Sequence, residues 1–206
     1  HLNDVYGGTR LAAQELEGVV VEGEGALFRI ADLKRARGAR PVELDRIVVA
    51  VDPPATATGD ACGIVVVGRK GRQAFVLADR TVQGRSPQSW GGAVSAAAHE
   101  FGAHEVVAES NQGGDMVRSV LAISACPCRI EMVHASRSKA ARAEPVALLY
   151  EQGRVVHCDA FPALEEEMLA LGSEGGPSPD RADALVWAIT RLMLGPQSAG
   201  PRLRGL

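Results

Sequence analysis

No apolar run in the 206-residue chain approaches the ~20 residues that cross a bilayer, so no membrane span is expected. The first residues, His1-Leu2-Asn3-Asp4, supply neither the positive nor the apolar segment of a secretory signal. Cysteine is scarce, with four residues at 62, 126, 128 and 158. The close pair Cys126-Pro127-Cys128 lacks the two-residue gap usual in zinc and redox sites. Buried, reduced thiols of a cytoplasmic protein are expected instead. A basic excess is missing too: Lys and Arg total 22 against 25 Asp and Glu, for a net charge of −3. That balance speaks against a broadly basic, phosphate-binding surface. Basic residues do bunch locally, as Arg69-Lys70-Gly71-Arg72, as Arg80 with Arg85, and from Arg137 to Arg142. Such runs are often a solvated face, so a local anion-binding patch is an open alternative.

What is present fits one ordinary globular domain, with 46% apolar residues and a length that suits a single core. Residues 1–45 are heterogeneous and read as a lead-in segment, with a helix expected from about Ala31 to Arg37. The compact part begins at Arg46-Ile47-Val48-Val49-Ala50-Val51-Asp52, an apolar run suited to a strand buried on both faces and ended by an acid and Pro53-Pro54. Two further runs, Gly63–Gly68 and Gln73–Asp79, flank the turn Arg69-Lys70-Gly71-Arg72 and predict a hairpin, making the first three strands antiparallel neighbours. Ser86-Pro87 predicts a helix start and Gly102 its end. A strand over residues 104–109 again finishes on an acid, Glu109. Helix 116–123, strand 129–133, helix 139–152 and helix 162–171 follow, and Asp180 opens the last helix. This order predicts a mixed α/β sheet with helices on both faces. Residues 46–194 form the expected domain, and 195–206 a flexible tail rich in Gly and Pro.

Three acidic sites stand at element ends: Asp52, Glu109, and Asp180 with Asp183. Acids that end parallel neighbouring strands project toward one crevice at the carboxyl edge of a sheet. Asp180 and Asp183 share a helix face, where like charges repel by ~0.2–0.5 kcal/mol unless a cation intervenes. Carboxylate clusters suit hard cations such as Mg²⁺ or Mn²⁺, and two ions ~3.5–4 Å apart promote phosphodiester hydrolysis. Bland readings exist for each member. Asp180 could be an N-cap with Asp183 favoured by the helix dipole, Asp52 a turn residue, and Glu109-Ser110-Asn111 strand-end and helix-cap chemistry. Asp60 could hold a metal through water or serve the turn at Gly59. His134 and His157 are expected to be structural or exposed.

Several segments together resemble the nuclease domain of large terminases from tailed phages and phage-derived gene transfer agents. They are Val49-Ala50-Val51-Asp52-Pro53-Pro54 with Gly59–Ile64, Val107-Ala108-Glu109-Ser110-Asn111-Gln112-Gly113-Gly114, Ser138–Val155, and Ser178-Pro179-Asp180-Arg181-Ala182-Asp183-Ala184-Leu185-Val186-Trp187-Ala188. The likeness covers about residues 3–194. Residues 6–18 resemble the family's bridge between ATPase and nuclease, and no G-x-x-x-x-G-K-[ST] loop is found, so the chain reads as a piece of a longer protein. The resemblance implies a ribonuclease H-like fold, two Mg²⁺ or Mn²⁺ ions on Asp52, Glu109 and the last-helix acids Asp180 and Asp183, and double-stranded DNA as substrate. It further implies an ATPase domain in the same full-length chain, portal and small terminase subunits as partners, and action in the host cytoplasm. Lys139 and Arg142 are expected to contact DNA phosphates. Alternatives are a non-catalytic docking module of a packaging machine, a resolvase-like nuclease for branched DNA, and a fragment of an actin-like phosphotransferase.

Overall fold

A computed structural model describes residues 26–54, 61–83, 86–111, 113–172 and 178–195. Asp60, Arg85 and the segments 1–25 and 196–206 lie outside the described residues, so the expectations placed there have no structural counterpart below. The elements run α1 (Ile30–Arg35), β1 (Arg46–Asp52), β2 (Ala61–Lys70), β3 (Gln73–Asp79), β4 (Val82–Gln83), α2 (Pro87–Phe101), β5 (Glu105–Glu109) and α3 (Gly114–Ile123). They continue β6 (Arg129–Val133), α4 (Lys139–Glu151), β7 (Val155–His157), α5 (Pro162–Ala170) and α6 (Asp180–Ile189), which passes into a π-helical turn over Thr190–Leu194.

The strands form one mixed sheet in the order β6-β5-β1-β2-β3-β7, with the short β4 beside β2. β1, β2 and β3 are antiparallel neighbours, while β5 runs parallel to β1, β6 to β5 and β7 to β3. β1 is central because both its faces are apolar. Val48 and Ala50 pack with α1, α4, α5 and α6, whereas Ile47, Val49 and Val51 pack with α2 and α3. Strand alternation thus divides one continuous apolar run between two cores. The arrangement is the mixed ribonuclease H-like sheet with helices on both faces.

Local signals end the elements as expected. α2 stops at Gly102, which adopts the left-handed conformation (φ 61°, ψ 45°) that lets its N–H and that of Ala103 cap the last turn. α4 starts where Ser138 Oγ accepts a hydrogen bond from Ala141 N at 3.3 Å. The described part of the lead-in is packed into the core: Phe28, Ile30 and Leu33 of the α1 region are fully buried. Arg37 pairs its backbone with His157 and its guanidinium with both oxygens of Glu165 at 2.5 and 2.6 Å. Glu165 also meets His157 Nδ1 at 2.9 Å, and His157 Nε2 lies 2.7 Å from the Tyr150 hydroxyl. Burial pushes the His157 pKa down, against the pull of Glu165. The ring is therefore neutral, its Nδ1–H donating to Glu165 and its Nε2 accepting from Tyr150. His157 is structural, as expected. Among the cysteines, Cys62 is buried, but Cys126, Cys128 and Cys158 are only half-buried, because they flank the edge strands β6 and β7. All four are free thiols, with 3.8 Å between the sulfurs of Cys126 and Cys128. No described helix is long and apolar enough to cross a membrane.

Candidate active site

β1 and β5 are parallel neighbours, so Asp52 and Glu109 at their ends reach the same edge of the sheet. The first turn of α6 descends onto this edge. It can do so because residue 63, paired with Asp52 across β1 and β2, is a glycine: a Cβ there would lie 2.0 Å from the carbonyl oxygen of Asp180. A side chain at position 63 would push the helix, and with it Asp180 and Asp183, off the sheet.

The start of α6 is held from outside. Its N-cap is Pro179, which offers no side-chain acceptor, and Asp180 is the first helical residue, so the N-cap reading of Asp180 does not hold. Glu167 of α5 accepts instead, from Arg181 N at 2.7 Å and Ala182 N at 3.2 Å. The Arg181 guanidinium bonds both Glu167 and Asp79. With its cap supplied by another helix, the α6 turn has no need of Asp180 and Asp183 for its own termination. Ser110 and Asn111 do act at the strand end: Ser110 Oγ donates to Val133 O, and Asn111 Oδ1 accepts from Ala135 N at 2.7 Å. Neither caps α3, whose N-cap is Gly113, so this loop ties the end of β5 to the end of β6.

Between these elements lies a cleft of about 400 Å³ lined by Asp52, Glu109, Asp180, Lys139 and Arg142, with Arg137 at its exposed rim. Asp183 completes the group from below, since Lys139 Nζ is ion-paired with its Oδ2 and Arg142 lies 3.4 Å from its Oδ1. Arg142 also donates to Glu109 Oε2 at 3.1 Å. The structure therefore brings Asp52, Glu109, Asp180, Asp183, Lys139 and Arg142 into one place. It sets Arg142, with a side chain only 11% exposed, inside the cleft and not on an outer helix edge. His134 is outside the cleft lining.

Charge here is unbalanced. Burial, and then the charges of Asp183 and Glu109, push the Asp52 carboxyl up to about 8, with Lys139 only partly offsetting them. Burial likewise raises Asp183 against the pull of Lys139 and Arg142. Burial would lower the Lys139 ammonium, but its contact with Asp183 and the charges of Asp52 and Asp180 hold it above its usual value. Four carboxylates thus sense one another across two ion-paired cations. Among the described residues no three acids stand close enough to enclose a metal ion as they are, and Lys139 and Arg142 lie on Asp183 and Glu109. The donor set nonetheless fits a hard divalent cation. It consists of carboxylate oxygens alone, and a cation would offset both the burial that chiefly raises Asp52 and the repulsion of Asp183, Glu109 and Asp180 that adds to it.

One participant had no place in the sequence reading. Trp187 lies one helical turn beyond Asp183, and its indole Nε1–H donates to Glu109 Oε2 at 2.6 Å while its ring stacks under the Arg142 guanidinium, 4.7 Å from ring centroid to Cζ. The four-residue spacing from Asp183 was the available signal, since residues four apart share a helix face.

Comparison with known proteins bears on the fold and the family. No curated protein sequence matches the chain. Among solved structures, the chain is similar to a mutant gp2c of the large terminase subunit of bacteriophage Sf6, solved with calcium, with TM-score 0.59, 18% identity, and coverage of 80% of this chain and 98% of that one. It is similar to the human cytomegalovirus terminase nuclease domain, manganese-soaked and inhibitor-bound, with TM-score 0.60, 17% identity, and coverage of 81% and 95%. The large terminase of a thermophilic bacteriophage matches with TM-score 0.64 and 10% identity over 83% of this chain but only 45% of its own length. At such identities the likeness speaks for the fold. The family model described as the terminase RNaseH-like domain matches residues 49–192, a span that holds all four acids and most of the chain. This chain belongs to the terminase RNase H-like domain family.

Proposed function

We propose that the chain is a divalent-metal-dependent endonuclease domain that cuts double-stranded DNA during genome packaging. The observation that carries this reading is the meeting of Asp52, Glu109 and Asp180 from β1, β5 and α6 in one cleft, with buried Asp183 joined to it through Lys139 and Arg142 and Asp52 pushed up to about 8. The calcium and manganese of the Sf6 and cytomegalovirus structures are in keeping with Mg²⁺ or Mn²⁺ as the ion used here. Two such ions supply an activated water and neutralise charge on the attacking and leaving oxygens. Asp52, Glu109, Asp180 and Asp183 hold them. Lys139 and Arg142, released from the acids, bind phosphate oxygens of the DNA, and the Arg137 side of the rim carries the flanking backbone.

The domain acts within a longer large terminase, joined through its N-terminal side to an ATPase domain and working beside portal and small subunits in the host cytoplasm. The partial coverage of the bacteriophage large terminase supports this. With a net charge of −3, the isolated domain binds DNA weakly, and its cutting falls steeply as salt rises.

Plasmid cleavage at low salt with Mg²⁺, Mn²⁺ or EDTA, comparing the wild type with Asp52→Asn, tests the proposal. Cutting in either metal that EDTA and Asp52→Asn abolish is the expected result. If plasmid survives both metals, or Asp52→Asn cuts as well as the wild type, the catalytic reading fails and a DNA-packaging docking module takes its place. A preference for branched over linear duplex would redirect the substrate assignment.

A further inference from the structure

We infer that Trp187 is a positioning residue for Glu109: its indole N–H holds one carboxylate oxygen so that the other is presented to a divalent cation in the cleft. The inference rests on the proposed reading of the four acids as metal ligands. Glu109 ends β5, Trp187 lies on α6 and Arg142 on α4, so three elements converge on one carboxylate. Both donors, Trp187 Nε1 at 2.6 Å and Arg142 at 3.1 Å, go to the same oxygen, Oε2.

The two donors differ in kind. Arg142 brings a positive charge, which offsets the carboxylate and competes with any cation approaching it. The indole N–H is neutral and only donates, so it orients Glu109 while leaving its negative charge in place. A divalent ion entering the cleft repels the Arg142 guanidinium but not the indole. Trp187 is thus the restraint on Glu109 that persists once the cleft is loaded, and its ring already lies under the Arg142 guanidinium, a contact separate from the one Arg142 makes to Glu109. Outer partners of this kind fix the orientation and basicity of a ligating carboxylate, and their removal costs about 10- to 100-fold in metal affinity or activity.

Trp187→Phe keeps the ring and its stacking but removes the N–H. Mn²⁺ titration by calorimetry on the wild type, Trp187→Phe, Glu109→Gln and the double variant separates the possibilities, with thermal unfolding of each in EDTA as the control. The expected result is Mn²⁺ affinity about 10- to 100-fold weaker in Trp187→Phe, an unfolding temperature within about 2 °C of the wild type, and no further loss when Trp187→Phe is added to Glu109→Gln. Wild-type affinity in Trp187→Phe, or an equal loss in both Glu109 backgrounds, overturns the inference while leaving the metal site standing. A wild type that binds no Mn²⁺ overturns the metal-site reading and this inference with it.

Discussion

The same two strands carry buried charge at both ends, and the two ends are built on opposite terms. At the start of β5, Glu105 is fully buried, yet its pKa is lowered: burial would raise it, but Arg191 donates twice, at 2.8 and 2.9 Å, and Arg46 lies 3.0 Å away. Four residues along the same strand, Glu109 joins Asp52, Asp180 and Asp183 around Lys139 and Arg142, and the Asp52 pKa climbs to about 8. One end is a single carboxylate closed between two arginines, whereas the other holds more acids than cations. Burial of an acid alone therefore does not separate a structural from a chemical role. The balance of charge around it does, because only an unbalanced site gains by admitting a cation from outside.

Exchanging the two glutamates in thought gives the largest effects. Glu105→Ala breaks a buried pair and is expected to cost about 3 kcal/mol, the low end for such pairs because both guanidiniums can turn to water. For a domain of this size that lowers the unfolding temperature by roughly 6–12 °C, while cleavage measured at low temperature keeps its wild-type rate. Glu109→Gln is expected to do the reverse, with cleavage down more than about 100-fold, beyond the loss typical of an outer partner, and an unfolding temperature near the wild type. If Glu105→Ala silences cutting in the folded protein, or Glu109→Gln unfolds the domain and spares activity, the contrast between the two ends collapses.

A smaller effect is expected at the anchor of α6. Glu167→Ala removes the acceptor for the first N–H groups of that helix, a loss of about 1 kcal/mol that appears as a fall of roughly 2–4 °C in unfolding temperature. Because that turn carries Asp180 and Asp183, the metal concentration needed for half-maximal cleavage is expected to rise as well. An unchanged metal requirement would show that the acids hold their places without the anchor.

An effect of similar size, confined to high pH, is expected at Asp52. Asp52 has a folded pKa of about 8 against an ordinary value of 3.8, so the native state binds its proton more tightly than the unfolded chain does. Its contribution to stability is complete below pH 3.8 and is lost as pH rises toward 8. In EDTA at pH 8, Asp52→Asn is expected to unfold higher than the wild type by about 2–4 °C, the shift made by 1 kcal/mol, and the gap should narrow steadily on acidification and close only below pH 3.8. Unfolding curves of the two proteins across this range check the sign, and a gap that widens on acidification contradicts a pKa raised by burial and by the neighbouring carboxylates.

Much of this architecture is readable along the chain. The run from Arg46 to Asp52 is apolar at every interior position because β1 is covered on both faces, and the turn at Gly71-Arg72 names the hairpin. Pro87 and Gly102 bracket α2 at its observed ends. Less legible were the two-residue β4, too short to carry a pattern, and the pairing of β7 with β3 at the sheet edge, which depends on a segment 82 residues from its contact, as the bond from Arg154 to Arg72 shows. The burial of α1 also escaped the reading of residues 1–45 as a lead-in, since its apolar residues are few and find their core only after α4 and β7 are in place. Of the site, the acids were visible because each ends an element. Trp187 was not, because tryptophan on an amphipathic helix reads as packing.

By itself the sequence determined most of the strand and helix order, the mixed sheet, and the placing of Asp52, Glu109 and the Asp180–Asp183 turn at element ends, since these follow from local periodicity and element-terminating residues. The tertiary structure alone decided which charges are matched. The partners of Glu109 stand 33 and 78 residues away, and those of Glu105 come from a different strand and from the π-helical turn beyond α6. Local patterns report burial, but charge balance is a sum over neighbours in space, and only the folded sheet brings those neighbours together.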